Sequence, residues 1–257
     1  MLGLGNNIIN GDVMGPSFVN TSYGFFDGTN DYFNVPNDTA LTPNSSGSGR
    51  GFSVSMWVMY KQASNPARGG ILLYKSGIWN LGANRYEYII RSGYDQKPFM
   101  TVYGNASSSI SQTFKLDLVP SADTWYHFAW CWDLGTGTTN WKCFVNGAKK
   151  THGSGATLSS SGTWSAVINT PNHFRIATDN SNSQHTNLNA DEYAIFDDFI
   201  SDSDAALLYN DGTPGDANQV DNLVAYYRFE EGSGTSVADE IGSNDATLVN
   251  GATFGTY

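Results

Sequence analysis

The chain has 257 residues, of which 14% are charged and 14% aromatic, and its formal net charge is −11. The acidic excess, 24 Asp and Glu against 13 Lys and Arg, weighs against nucleic-acid binding, because that affinity comes from basic side chains on phosphates. No run approaches the roughly 18 apolar residues of a membrane helix, and the first residues lack a basic and apolar secretory signal, so we expect a soluble protein without membrane insertion.

A series of short strands is predicted from residue 21 onward. Residues 1–20 are rich in Gly and Asn and weakly apolar, so we expect them to form an N-terminal arm. Residues 23–35 alternate apolar and polar positions around a Gly-Thr-Asn turn, which favours extended chain. Residues 42–50 have the composition of a flexible loop.

The clearest strand covers residues 52–60. Alternation puts Trp57 on one face and four apolar side chains on the other, namely Phe52, Val54, Met56 and Val58. Further strands of a meander are predicted over residues 70–75, 86–91 and 98–103.

Two alternating runs, residues 124–132 and 140–146, predict a central β-hairpin around a turn rich in Gly and Thr. Cys131 and Cys143 lie on its two strands. Two cysteines in a chain of this length do not form a disulfide framework. A bridge requires that they lie directly opposite one another, and we favour the alternative of two buried free thiols.

Beyond the hairpin, residues 153–165 are predicted to form a Gly/Ser/Thr loop, and residues 174–178 and 192–199 are predicted strands. Residues 201–209 are the one good helix candidate, because Ser and Asp residues cap its start and an Asp-Gly pair follows its end.

Four parts of the sequence together resemble the laminin-G-like (concanavalin A-like) jelly-roll family. They are residues 26–32, residues 52–57, the hairpin within 125–147, and residues 191–196 with 209–212, and they stand in the family's order. The resemblance implies an all-β antiparallel sandwich formed by a single domain over residues 21–257, with one short helix near 201–210. It implies a habit of ligand binding and does not identify the ligand.

Residues 222–254 depart from that order. They look like the opening strands of the family, yet here they end the chain. About 35 residues cannot bury a jelly-roll core alone, so the segment completes this domain, pairs with a neighbouring subunit, or is a truncated repeat. We take the first interpretation, a circular permutation with 222–254 supplying closing strands, as the most economical.

The sequence shows no catalytic pattern. Glycosidases of this fold commonly carry a Glu-x-Asp-x-x-Glu strand, and none of the five glutamates has that spacing. The adjacent Asp191 and Glu192 are expected to point to opposite faces of a strand. The four histidines lack zinc spacing, and the resemblance implies a structural role for His127. We therefore predict a protein that is not an enzyme.

Three aspartates form a candidate calcium site: Asp27, Asp31 and Asp191. In related proteins an aspartate of the Phe-Asp-Gly segment and one near the Asp-Glu strand approach a shared cation, and calcium prefers such oxygen ligands. The alternative is that Asp27 and Asp31 are ordinary turn formers beside Gly28.

A candidate sugar-binding surface lies between residues 79 and 94. It combines the aromatic residues Trp79, Tyr86 and Tyr94 with Arg91, and a sugar site requires such an aromatic platform beside hydrogen-bonding groups. Trp79 is the best candidate for exposure. The alternative for each is core packing, the role to which we assign Trp57, Trp125 and Trp130.

The function predicted from these features is non-catalytic recognition or assembly. The layout of the chain resembles structural proteins of tailed phages, which implies a virion-surface protein that decorates a capsid or tail, contacts other virion subunits or copies of itself, and touches cell-surface glycans. The alternatives are a stand-alone carbohydrate-binding lectin and, third, a glycosidase assembled from distant residues.

Overall fold

Two antiparallel β-sheets pack face to face in the computed structural model, which describes residues 18–44, 49, 51–61, 70–77, 86–164 and 166–257. This arrangement confirms the predicted all-β sandwich. The strands are β1 Ser22–Asp27, β2 Tyr32–Val35, β3 Phe52–Tyr60, β4 Ile71–Ser76, β5 Tyr86–Ser92, β6 Pro98–Tyr103, β7 Ser111–Leu116, β8 Trp125–Trp132, β9 Trp141–Val145, β10 Ala148–His152, β11 Gly155–Ser161, β12 Phe174–Ile176, β13 Asn187–Phe196, β14 Leu223–Tyr227, β15 Ser236–Val237, β16 Ala246–Val249 and β17 Thr253–Thr256. The α-helix is α1 Asp202–Tyr209, and short 3-10 turns cover Thr39–Leu41, Gly104–Ala106, Thr138–Asn140, Asn210–Gly212 and Ala217–Gln219.

The strands divide between the sheets in a fixed order. The first sheet runs β17–β1–β13–β3–β8–β9–β10, with β14 beside the second half of β13. The second sheet runs β15–β16–β2–β12–β4–β5–β6–β7–β11. A short parallel pairing of β10 with β11 joins the two sheets at one edge.

The inner faces of both sheets form the main core. On β3 the alternation predicted from the sequence is confirmed, because Phe52, Val54, Met56 and Val58 are all at most 1% exposed and belong to this core. Each buried side chain of this size contributes roughly 1.5–3 kcal/mol. Trp57, on the opposite face of β3, is thereby directed away from the core and toward the outer surface of the first sheet.

The central hairpin is confirmed as β8 and β9, and its register shows whether Cys131 and Cys143 can form a disulfide. Cys143 lies opposite Trp130, and Cys131 lies opposite Lys142, so the two thiols are on different faces of the sheet. Both are free and buried, and burial raises the pKa of Cys131 to about 12. They are inert packing residues.

The loop predicted over residues 153–165 is wrong, because seven of these residues form β11. β11 pairs with β7 over six residues. Backbone N–H and C=O groups make those bonds whatever the side chains are. Its Ser and Thr side chains lie at the edge of the sheet, where small polar residues are tolerated.

The predicted helix is confirmed as α1, which begins after Ser201. The Ser201 hydroxyl accepts the Asp204 backbone N–H, and the Asp204 side chain accepts the Ser201 N–H, forming a capping box. The helix and its flanking turns pack on the outer face of the first sheet, where Leu208 packs with Ala194 and Tyr226.

The C-terminal segment contributes to both sheets. β14 lies beside β13, β17 beside β1, and β16 beside β2. Tyr227 and Phe229 are completely buried and pack against Phe33 of β2. The last 35 residues of the chain are therefore part of the same core as the first described strands.

Candidate ligand-binding cleft

An open cleft of about 500 Å³ lies on the outer face of the first sheet, where the cover formed by α1 ends. Its lining, as far as the described residues form it, combines four aromatic rings with amide and hydroxyl groups and contains no charged side chain. The lining residues are Phe18, Asn20, Trp57, Trp125, Asn210, Gly212, Thr213, Pro214 and Tyr257.

Neighbouring strands place the two tryptophans. Trp57 lies directly opposite His127 and Trp125 opposite Met59, so the two indoles are diagonal neighbours on one face. The Trp57 ring stacks on Tyr209, the last residue of α1, with ring centres 5.8 Å apart and an angle of 14° between planes. The sheet and the helix thus fix this wall of the cleft.

Trp125 belongs to a cluster of three aromatic rings beside the cleft. Tyr257 contacts Tyr23 and Trp125 at centroid distances of 5.3 and 5.5 Å, and Tyr23 contacts Trp125 at 5.6 Å. Aromatic pairs in such edge-on and tilted arrangements gain about 0.5–1.5 kcal/mol beyond their buried area. Tyr257 is nevertheless 58% exposed, so part of its ring is open to a ligand.

The loop that follows α1 forms the rim. Asn210 and Asp211 take left-handed backbone conformations, and Gly212 has φ +104°, a conformation that favours glycine. The Asn210 amide donates to the Thr213 hydroxyl at 3.0 Å, and that hydroxyl donates to the Asn210 carbonyl at 3.1 Å. These local bonds hold the rim in one shape.

Asn20 and Tyr257 are held by one buried carboxylate. The Asn20 amide and the Tyr257 hydroxyl both donate to Asp191 Oδ2, at 2.8 and 2.7 Å. Because its amide nitrogen is committed to Asp191, the orientation of Asn20 is fixed. Its Oδ1 is buried and accepts no hydrogen bond within the part of the chain that the structure describes.

The prediction that Asp191 and Glu192 point to opposite faces is wrong. β13 carries a bulge between Asp191 and Ala194, and Glu192 has φ +50°. The extra residue turns Glu192 to the outer face, where its carboxylate accepts bonds from the Tyr226 hydroxyl and the Arg228 guanidinium. Two adjacent carboxylates therefore lie behind the cleft wall.

The two carboxylates have shifted pKa values. Burial raises the pKa of Glu192 from 4.5 to about 7, against the opposing effects of Tyr226 and Arg228. Burial, followed by the charge of Glu192, also raises the pKa of Asp191 well above its usual range. Both groups hold a proton more tightly in the folded protein than in the unfolded chain.

Stability is accordingly expected to rise as the pH falls from about 8 to about 5. A carboxyl group with a raised folded pKa gives its full stabilisation below the unfolded pKa and loses it as the pH rises through the folded pKa, here about 7 for Glu192. The loss is on the order of 2–3 kcal/mol. The free energy of unfolding, measured by urea denaturation at several pH values in this range, should depend less on pH in Glu192→Gln than in the exposed control Glu240→Gln. An equal pH dependence in the two variants would contradict the raised pKa of Glu192.

The structure does not bring the three predicted calcium ligands together. Asp31 accepts the backbone N–H of Asp27, and Asp27 accepts that of Thr29, as turn-forming aspartates do. Asp27 lies opposite Asn187, four residues or about 13 Å along the strand from Asp191. Among the residues that the structure describes, no three His, Cys, Asp or Glu side chains are placed to hold a metal ion.

Calcium binding stays a prediction, now limited to the turn that holds Asp27 and Asp31. If the ion binds there, excess calcium should raise the melting temperature and a chelator should reverse the effect, because a ligand specific for the folded state stabilises it. Equal melting temperatures in calcium and in chelator would leave both aspartates as turn formers.

The predicted aromatic platform is separate from the cleft, on the second sheet. Tyr86 is only 5% exposed and packs on Tyr103 at a centroid distance of 5.2 Å. Arg91 is half-buried, and Tyr94 is 71% exposed in the turn after β5. Trp79 lies outside the described residues. Of the three described positions, Tyr94 alone offers a free ring.

Sequence reasoning assigned Trp57 and Trp125 to the framework and did not find the cleft. One signal was available, because alternation along β3 placed Trp57 on the face opposite the core. Nothing in the sequence indicated that Phe18, Asn20 and Tyr257, from the two ends of the described chain, would meet these tryptophans.

Comparison with known proteins agrees with this fold. Residues 27–206 match the model of the concanavalin A-like lectin/glucanases superfamily. The search of curated protein sequences finds no match. Among the residues that the structure describes, no helix has the length and apolar character needed to cross a membrane.

Several solved structures are similar at low sequence identity. A candidate carbohydrate-binding protein from Bacteroides ovatus has a TM-score of 0.61 at 16% identity, covering 93% of this chain and 60% of its own. Botulinum neurotoxin type C, in a study of its interaction with two ganglioside molecules, has a TM-score of 0.51 at 10% identity, covering 74% and 42%. A heptameric SAP-like pentraxin from Limulus polyphemus has 0.49 at 12%, covering 91% and 96%. The chain thus spans 60% and 42% of the first two proteins, less than two thirds of each.

Proposed function

The chain belongs to the concanavalin A-like lectin/glucanase superfamily, and from that premise we propose that it is a non-catalytic carbohydrate-binding module that holds a neutral glycan in the aromatic cleft. The observation that carries the proposal is the lining of the cleft, where Phe18, Trp57, Trp125 and Tyr257 surround amide and hydroxyl groups. Sites for small ligands combine such apolar walls with a few oriented polar groups.

The chemistry of a sugar ring matches this lining. The C–H groups of a pyranose form an apolar face that can lie on the Trp125 and Tyr257 rings, and its hydroxyls can bond the fixed Asn20 amide. Among the described residues, the lining of the cleft includes no cation that could pair with a charged sugar. Such a site favours uncharged sugars over those that carry carboxylate or sulfate groups.

The carboxylates of Asp191 and Glu192 support a binding role without catalysis. Asp191 has no solvent exposure, and its oxygens accept bonds from Asn20, Tyr257 and the Glu192 backbone. Glu192 is 4% exposed and is held by Tyr226 and Arg228. A general acid must reach the leaving oxygen of its substrate, and neither group is exposed to the cleft. Hydrolysis of neutral glycans abolished by a single Asp191→Asn or Glu192→Gln change would refute this part of the proposal.

Two of the similar structures support a glycan as ligand, by the carbohydrate binding assigned to the Bacteroides ovatus protein and the ganglioside interaction of the neurotoxin. At 16% and 10% identity they share the fold with this chain. Fold alone does not fix function, so the assignment here depends on the cleft.

Trp125→Ala and Tyr257→Ala are each expected to weaken binding of a neutral glycan by at least about tenfold, since a loss of roughly 1.4 kcal/mol of binding free energy raises the dissociation constant tenfold. The ligand would first be found on an array of neutral oligosaccharides, and its dissociation constant would then be measured by titration calorimetry.

Tyr94→Ala is the matched control, because this ring is more exposed than any in the cleft yet lies on the second sheet. It should leave the dissociation constant unchanged. If Tyr94→Ala or Arg91→Gln abolished binding while Trp125→Ala did not, the ligand site would be the one predicted from the sequence, and the cleft would be excluded.

A more specific proposal is that the protein lies on a virion surface. It is based on the layout of the sequence. In that setting the sandwich would attach to other structural subunits and present the cleft outward to cell-surface glycans. Recovery of the protein in purified particles, in a fixed ratio to the capsid protein, would support it. A protein that purifies free of particles and binds glycans alone would favour the stand-alone lectin.

A further inference from the structure

A second cavity, of about 340 Å³, lies at the ends of β9 and β10 beside the start of α1. It shares no lining residue with the aromatic cleft. Its polar groups are two ammonium groups, one imidazole and three threonine hydroxyls. The full lining is Thr138, Thr139, Trp141, Lys142, Lys149, Thr151, His152 and Phe199, and we call it the cationic pocket.

Both lysines of the cationic pocket bond the same carboxylate. Lys142 Nζ and Lys149 Nζ bond the same Asp202 Oδ1, at 3.1 and 3.2 Å, and Lys149 Nζ also bonds Oδ2 at 2.9 Å. Two positive charges are thereby held close together against one negative charge. Neither lysine has a second carboxylate partner within the described part of the chain, so one positive charge is left uncompensated.

Lys142 is an unusual lysine because its side chain is only 7% exposed. Its ammonium lies over the Phe199 and Phe144 rings, at 4.4 and 5.3 Å from their centres. An ammonium group has three N–H donors, and Asp202 is its one hydrogen-bond acceptor among the residues described. A buried donor without a partner costs free energy, and an anion in the pocket would supply that partner.

His152 adds a donor of fixed position. The Leu158 backbone N–H donates to His152 Nδ1 at 3.0 Å. In a neutral imidazole whose Nδ1 accepts, the proton is on Nε2. The ring lines the pocket, and in this tautomer its N–H donor is Nε2.

We propose that the cationic pocket binds a tetrahedral oxyanion, a sulfate or phosphate group, between Lys142, Lys149 and His152. The net charge of −11 does not prevent this, since charges more than about 10 Å away are largely screened at 0.1 M salt. The proposal is independent of glycan binding in the cleft.

Titration of the whole chain with sodium sulfate, at an ionic strength held constant with sodium chloride, tests the proposal. Amide NMR signals of Thr151 and His152 should shift and saturate, whereas the signals of the cleft loop, residues 210–214, should not. Lys149→Gln should weaken binding by about tenfold. The matched control Lys97→Gln removes a lysine from another ion pair, that with Asp117, and should have no effect.

Asp202→Asn is expected to change sulfate affinity in the opposite direction from Lys149→Gln. Removing the competing carboxylate frees both ammonium groups, so sulfate should bind several-fold more tightly than in the unaltered protein. Far-UV circular dichroism would confirm that this variant is folded; if it is not, Lys149→Gln against Lys97→Gln decides the matter. Absence of saturable shifts, or equal affinity in Lys149→Gln and Lys97→Gln, would overturn the proposal.

The source of the anion is distinguished by parallel titrations with inorganic phosphate, galactose 4-sulfate and unsulfated galactose. Tighter binding of the sulfated sugar than of sulfate itself would assign a sulfated glycan. Equal affinity for sulfate, phosphate and the sulfated sugar would assign a simple oxyanion site.

Discussion

Replacing Lys75 with methionine is expected to lower the free energy of unfolding by about 3–5 kcal/mol, because it leaves a buried carboxylate without its counter-charge. The side chains of Lys75 and Glu87 are both 0% exposed, and Lys75 Nζ lies 2.7 Å from each Glu87 oxygen. Because the site is fully buried, bulk water cannot take the place of the lost ammonium group.

The surroundings of the pair enlarge the effect. Lys75 Nζ also donates to the Thr42 hydroxyl at 3.1 Å and to the side-chain oxygens of Asn37 and Asn169 at 3.1 and 3.2 Å. Thr170 donates its backbone N–H and its hydroxyl to Glu87. Burial lowers the pKa of Lys75, and the charge of Glu87 opposes that shift. The pair therefore joins β4 and β5 to two loops, at residues 37–42 and 169–170.

Urea denaturation measures the effect, with Lys97→Met as control. Lys97 pairs with Asp117 at the surface, where an ion pair contributes little, so its loss should leave the unfolding midpoint almost unchanged. The double variant Lys75→Met/Glu87→Leu should be more stable than Lys75→Met alone, since no unpaired charge remains buried. A single variant as stable as the control would show that water reaches this site.

Ending the chain at Asp221 is expected to give insoluble or molten protein. The deletion removes β14 from the edge of β13, β17 from β1 and β16 from β2. It also removes Tyr227 and Phe229 from the core around Phe33. Exposed strand edges and an open core together favour aggregation.

Tyr226→Asp is the corresponding point change, because Tyr226 is fully buried against α1 and donates its hydroxyl to Glu192. Ile241→Asp, at an exposed position of the same segment, is its control. Near-UV circular dichroism and sedimentation should show lost packing for the truncated chain and for Tyr226→Asp, with little change for Ile241→Asp. A truncated chain that stays soluble, monomeric and cooperatively folded would make the segment a dispensable tail.

Much of the fold could be predicted because its signals are local. Alternation along residues 52–60 fixes which side chains of β3 enter the core, and the Ser201 cap fixes where α1 begins. β11 was missed because an edge strand paired through its backbone carries no apolar pattern. The orientation of Glu192 was missed because a single inserted residue changes the face.

The cleft could be predicted far less well. Phe18, Trp57, Trp125 and Tyr257 are distant in sequence and meet only through the order of strands in the first sheet. Sequence analysis predicted a sugar-binding surface at Tyr86 and Tyr94 instead, because aromatic and polar residues are neighbours there along the chain. Proximity in sequence is a weak guide to a site on a sheet, where most contacts join strands from different regions.

The Tyr257 side chain, hydrogen-bonded to Asp191, and the Phe18–Asn20 segment place both ends of the described chain at the rim of the cleft. An affinity tag or linker joined after Tyr257 would therefore lie beside the cleft. A fusion made instead through the exposed turn after β5, at Tyr94 on the side of the second sheet, would leave the cleft unobstructed.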